Sequence, residues 1–180
     1  MCAGTNDYGF ARITDPAVPV ANLTAHLTTL ISRGAQTILV PNLPNLGNLP
    51  AALGTPLEAP GNLLTQRHNL GLNASVAALQ TNFPGVKIKF LDMNSFVGDI
   101  TVNPGDYGFT NVSEGCWLVS CAAPETYFYW DDSHFTTRGH QLMGDFAYQA
   151  VVPEPLTILG TLTAVGFGAV YKRRAHNLNP

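Results

Sequence analysis

The chain has 180 residues, with 12 acidic against 9 basic side chains for a formal charge of −3, and charged residues at only 12% of positions. No basic stripe precedes Lys172, so the electrostatic footprint that nucleic acid requires is missing and nucleic acid is excluded as a partner. An apolar fraction of 46%, with 17 Gly and 13 Pro spread without a period, fits neither a disordered chain nor a collagen-like one and predicts one moderate folded domain.

The chain opens on the turn Gly4-Thr5-Asn6-Asp7-Tyr8. Val20, Leu23, Leu27, Leu30 and Ile31 then recur at helical spacing, and Arg33-Gly34 supplies a cation and a terminating glycine. Thr37 to Val40 is a short apolar run of the kind buried in a parallel sheet. Proline, asparagine and glycine crowd Pro41 to Pro60, which predicts a loop with little regular structure. Leu72, Val76, Leu79 and Phe83 predict a second helix ended by Pro84-Gly85, and Val86 to Leu91 a second strand with Asp92 at its C-terminal end. From Asn94 to Tyr129 the pattern is irregular. A last helix is expected after Thr136 or Thr137, with Leu142, Met143, Phe146 and Ala147 toward the core.

Helix, strand, helix, strand, helix is an α/β pattern with a parallel sheet. Two strands fall short of the roughly five that such a sheet normally holds. Residues 1 to 15 also lack a basic n-region followed by an apolar stretch. Both deficits lead to the expectation that this is the C-terminal part of a longer protein.

Residues 156–174 differ from the rest. Leu156 to Tyr171 is a run of 16 uncharged residues, preceded by Pro153-Glu154-Pro155 and followed by Lys172-Arg173-Arg174. A helix of that length spans about 24 Å, slightly less than a hydrocarbon core, and flanking cations can snorkel over the difference. The sequence therefore divides into a domain at 1–150, a Pro-Glu-Pro linker at 151–155 and a transmembrane-type hydrophobic helix at 156–174. Of the three cysteines, Cys2 stands apart, while Cys116 and Cys121 are close enough for either a local disulfide or two buried thiols.

A breaker, an apolar span and a basic cluster in this order resemble the PEP-CTERM sorting signal of exported bacterial proteins. The resemblance implies membrane anchoring through this segment, processing by an exosortase-type enzyme, and delivery to the cell envelope, the cell surface or the outside. An oxidising location follows, and with it a Cys116–Cys121 disulfide.

Chemistry-bearing residues cluster at both ends of the domain. Asp131 and His134 are three apart in a turn, where a carboxylate can hold the imidazole Nδ1–H and leave Nε2 to take a proton. Asn6 offers a side-chain N–H for a developing oxyanion. His134 and His140 are six apart, which is not a helical metal pair, and Gly166-x-Gly168 lacks a third glycine. No metal or cofactor is expected.

At these residues the chain resembles the GDSL or SGNH family of serine ester hydrolases, in the branch with a Phe-Trp-Asp-x-x-His closing motif. Asn6 matches the oxyanion asparagine of the family's Gly-x-Asn-Asp block, and Asp131 and His134 match the acid and base of its Asp-x-x-His block. Leu43-Pro44-Asn45-Leu46-Gly47, His68-Asn69, and Tyr107 to Asn111 with Cys116 look like the segments between. The resemblance implies an incomplete, flavodoxin-like three-layer domain and acyl transfer to and from a serine, acting on small-molecule or lipid esters. Two departures stand out. The family's nucleophilic serine lies in a Gly-Asp-Ser block before the asparagine block, and none of Ser32, Ser75, Ser95, Ser113, Ser120 and Ser133 has that setting. Phe135 stands where the family has proline. The chain on these grounds is expected to be nearly inert alone. The alternative is a non-catalytic exported surface or matrix protein on the same scaffold.

Overall fold

The computed structural model describes residues 3–9 and 12–152. The expected hydrophobic helix at 156–174, its Pro-Glu-Pro linker from Pro153, and Cys2 lie outside the described residues. Among the described residues no helix is long and apolar enough to cross a membrane.

After a short helix α1 (Thr5–Gly9), the chain enters α2 (Ala17–Ser32), which buries Val20, Leu23, Leu27 and Ile31. Leu30 belongs to the same spacing but remains exposed. Gly34 ends the helix in the left-handed region at φ +93°, its N–H donating to the Ile31 carbonyl at 2.9 Å. Strand β1 (Thr37–Pro41) follows, then a loop holding a 3₁₀ turn at Leu46–Asn48. Helix α3 (Glu58–Asn82) leads to β2 (Lys87–Leu91), which pairs with β1 in parallel from Thr37 opposite Lys87 to Pro41 opposite Leu91.

The structure corrects the sequence reading of two of the longer helices. Helix α3 begins at Glu58, well before Leu72, and takes in the end of the expected loop. Its buried face is Gly61, Thr65, His68, Leu72, Val76 and Leu79. The spacing is helical throughout, but the first half carries a glycine, a threonine and a histidine where apolar residues give the usual signal. The stretch from Asn94 is likewise not irregular from its start. Asp92 caps a helix α4 (Met93–Val102), accepting from the Ser95 N–H at 3.1 Å, and Met93, Val97 and Ile100 face inward.

A second parallel pair, β3 (Asn111–Gly115) with β4 (Tyr127–Tyr129), stands apart from the first and carries a register shift. Helix α5 (Thr137–Val151) closes the described chain. Thr136 is its N-cap, accepting from the Gly139 N–H at 3.2 Å.

Alternation along β1 and β2 sorts the core into two layers. Ile38, Val40, Ile88 and Phe90 pack with α2 and α3. Leu39 and Leu91 pack with residues of α4 and α5, including Ile100, Leu142, Met143 and Phe146. Helices thus cover both faces of the β1–β2 pair, an α/β arrangement with parallel strands.

Candidate active site

The site is assembled from a turn between β4 and α5. Phe128 and Tyr129 are fully buried and anchor it from below. The Cys116 and Trp117 N–H groups donate to the Tyr129 and Trp130 carbonyls at 3.0 and 2.8 Å, and the Trp130 N–H donates to the His134 carbonyl at 2.7 Å. The turn is therefore closed on itself and stitched to the segment beside it. Gly115 sits so close that a Cβ there would lie 2.5 Å from the Asp131 carbonyl oxygen. Only glycine permits this approach.

Within the turn, the Asp131 carboxylate accepts the backbone N–H of His134 at 2.6 Å and of Ser133 at 2.9 Å. Its other oxygen lies 2.8 Å from Nδ1 of His134. Partial burial opposes the charge on Asp131, but these N–H groups and the imidazole outweigh it and hold the carboxyl below its ordinary range. An ionised carboxylate has no proton to give, so Nδ1 carries the hydrogen and Nε2 presents its lone pair. The imidazole is 72% exposed, and Nε2 makes no hydrogen bond to any described residue. Ser133 stands on the wrong side of the ring, its Oγ 3.4 Å from Nδ1 and 3.0 Å from Asp132.

Asn6 is the second residue of α1 and is exposed. The glycine-flanked turn expected there is helical, and Asn6 makes no hydrogen bond to Asp131 or His134. The two ends of the domain are nevertheless tied to one platform, the loop after β1. Gly4 lies against Leu43 of that loop, and the Ala51 N–H donates to the Asp132 carbonyl at 2.9 Å. The platform is held in turn by α3. Asn69 grips Leu43 at both its N–H and its carbonyl, each at 2.9 Å, and the Thr65 hydroxyl accepts the Leu46 N–H at 2.9 Å.

Other residues at the strand ends carry no obvious sequence signal. Asn42 donates to Asp92 and accepts from the Asn94 N–H, both at 2.8 Å, which joins the C-terminal ends of β1 and β2. His68 is fully buried on α3 with Nδ1 2.7 Å from the Tyr8 hydroxyl. Its one sequence clue is its place beside Asn69.

Cys116 and Cys121 form a disulfide with Cα atoms 5.0 Å apart. The loop it encloses exposes Trp117, Leu118 and Val119. Trp130, which an apolar environment beneath the turn would suit, is also exposed at 43%.

The profile of the family described as GDSL-like Lipase/Acylhydrolase matches residues 1–147. A GDSL esterase/lipase of Arabidopsis thaliana is 22% identical over 185 residues, covering 84% of this chain and 49% of its own length. A second is 26% identical over 173 residues, covering 85% and 44%, and the GDSL esterase/lipase APG of the same plant is 25% identical over 163 residues, covering 78% and 45%. This chain thus spans about half the length of the curated relatives it matches. A family match over more than three quarters of the residues, on an α/β scaffold with parallel strands, shows that the chain belongs to the GDSL-like lipase/acylhydrolase family.

Proposed function

We propose that this chain supplies the general base, the carboxylate that orients it and an oxyanion donor to an ester hydrolase working through an acyl-enzyme. The observation that carries the proposal is the Asp131–His134 pair, with Nδ1 held at 2.8 Å and Nε2 open to solvent. In this reading a serine attacks the ester carbonyl while Nε2 of His134 takes its proton and later returns it to the leaving alcohol. Asp131 stabilises the imidazolium, and the Asn6 amide donates to the oxyanion. The nucleophile in this proposal is a serine outside residues 1–180, since no Gly-Asp-Ser block occurs within them. Its loss from such a triad costs about 10⁶ in turnover, so the 180 residues alone are expected at background.

The proposal includes export. The Pro-Glu-Pro, apolar and basic sequence from Pro153 to Arg174 supports sorting to the cell envelope or beyond, with membrane anchoring until an exosortase-type enzyme cuts it. Detection of the chain only in the cytosolic fraction of its source would remove this part.

The test joins a sequence and an assay. The coding DNA upstream of Met1 is read, and hydrolysis of p-nitrophenyl butyrate by the product of the full open reading frame is measured. An in-frame Gly-Asp-Ser block and turnover abolished by His134→Ala are expected. Turnover by the 180 residues alone, also abolished by His134→Ala, would place the nucleophile within them. A true start at Met1 with no turnover would favour a non-catalytic surface protein, the reading supported by the missing serine block.

A further inference from the structure

We propose that His68 is the positioning residue for Asn6, its ring clamping the turn that carries the amide from the Gly4 side and the Tyr8 side at once. The inference rests on the oxyanion role proposed for Asn6 and adds what holds that amide in place.

Helix α1 needs such a device. It has five residues, none of them buried, and is far too short to persist on its own. Among the described residues its backbone bonds, from the Asp7 N–H to Gly4 at 3.2 Å and from the Ile13 N–H to Asp7 at 2.9 Å, stay within the N-terminal segment. Beside the Gly4–Leu43 contact, the ring of His68 ties it outward. The Tyr8 hydroxyl and Nδ1 share a hydrogen bond of 2.7 Å, and the two rings meet edge to face with centroids 5.7 Å apart. On the other flank, a Cβ on Gly4 would come within 3.1 Å of Cε1 of the same ring, and Gly4 adopts φ +122°. Gly4 and Tyr8 each stand two residues from Asn6, so one imidazole brackets it.

The ring suits this use. Burial keeps His68 neutral by lowering its affinity for a proton, against an opposing pull from Asp7. Burial, with Asp7 and Asp15, also raises the Tyr8 phenol to about 12. The phenol therefore keeps its proton and donates to Nδ1. Nε2 is left buried with no partner among the described residues. An unpartnered buried nitrogen is destabilising, and a leucine at this core position would avoid it. What the ring offers in exchange is Nδ1, which accepts the Tyr8 hydroxyl at 2.7 Å.

The experiment measures ¹⁵N relaxation on the 180-residue chain. In Tyr8→Phe and His68→Phe, backbone order parameters at 5–9 are expected to fall from about 0.85 to below about 0.6, with β1 and β2 unchanged. His68→Asn places an amide oxygen where Nδ1 stood and should restore order, whereas His68→Gln places it at the Nε2 end and should not. An equally rigid turn in Tyr8→Phe overturns the proposal, also where the His68 variants fail to fold. Loosening that spreads equally to β1, or order restored by His68→Gln and not by His68→Asn, overturns it too. Asn6→Ala should leave the turn rigid. If hydrolysis by the full reading-frame product survives Asn6→Ala, the oxyanion role falls while relaxation still reports the clamp.

Discussion

Asp131 does two jobs with one carboxylate: it closes the turn through two backbone N–H groups and it selects the tautomer of His134. Asp131→Asn removes the charge and can present an N–H to Nδ1, which favours the wrong tautomer. Under the proposed mechanism, turnover of p-nitrophenyl butyrate by the product of the full open reading frame should fall about 10⁴-fold with little change in fold, a loss read directly in kcat. The same group sets a pH dependence. Its folded pKa is depressed, so its stabilising contribution is present above the ordinary carboxylate range and disappears as pH falls through the folded value. Urea midpoints measured from about pH 6 downward should decline less steeply in Asp131→Asn than in the parent. Gly115, at the end of β3, is the critical residue beside the turn. Gly115→Ala drives a methyl to 2.5 Å from the Asp131 carbonyl oxygen and should cost about 1–3 kcal/mol in urea unfolding, because the contact is with backbone that cannot rotate away.

At the scale of elements, the site depends on how α5 begins and how β3 is linked to β4. The Thr136 hydroxyl caps α5 and also donates to the Tyr127 carbonyl at 2.7 Å, in a position only 4% exposed. Thr136→Ala leaves both groups without a partner and should destabilise by about 1–2 kcal/mol in chemical denaturation. The disulfide closes a loop from Cys116 to Cys121, five residues apart in sequence. Loop-closure entropy for so small a ring is worth about 2 kcal/mol, and thermal scans with and without dithiothreitol should differ accordingly. The first half of helix α3 shows why part of an element can escape notice. Its buried Thr65 and His68 are placed by what they bond, Leu46 and Tyr8, and a pattern of apolar residues does not register them.

At the scale of the molecule, two parallel strands serve as the wall between two cores. Helices α2 and α3 pack on one face, and α4 and α5 on the other.

Local chemistry made much of this legible before any coordinates. The apolar spacing of α2, the glycine at its end, the two strands and the threonine that starts α5 are short-range features, each encoded within a few neighbouring residues, and the α/β order follows from them. The three-residue spacing of Asp131 and His134 is local in the same sense. Tertiary structure alone decided that α3 reaches back to Glu58 with Thr65 and His68 turned inward, and that Gly4 and Tyr8 close on His68. Those outcomes join residues up to about sixty positions apart, and the partners become neighbours only once β1 and β2 pair and the helices pack against them.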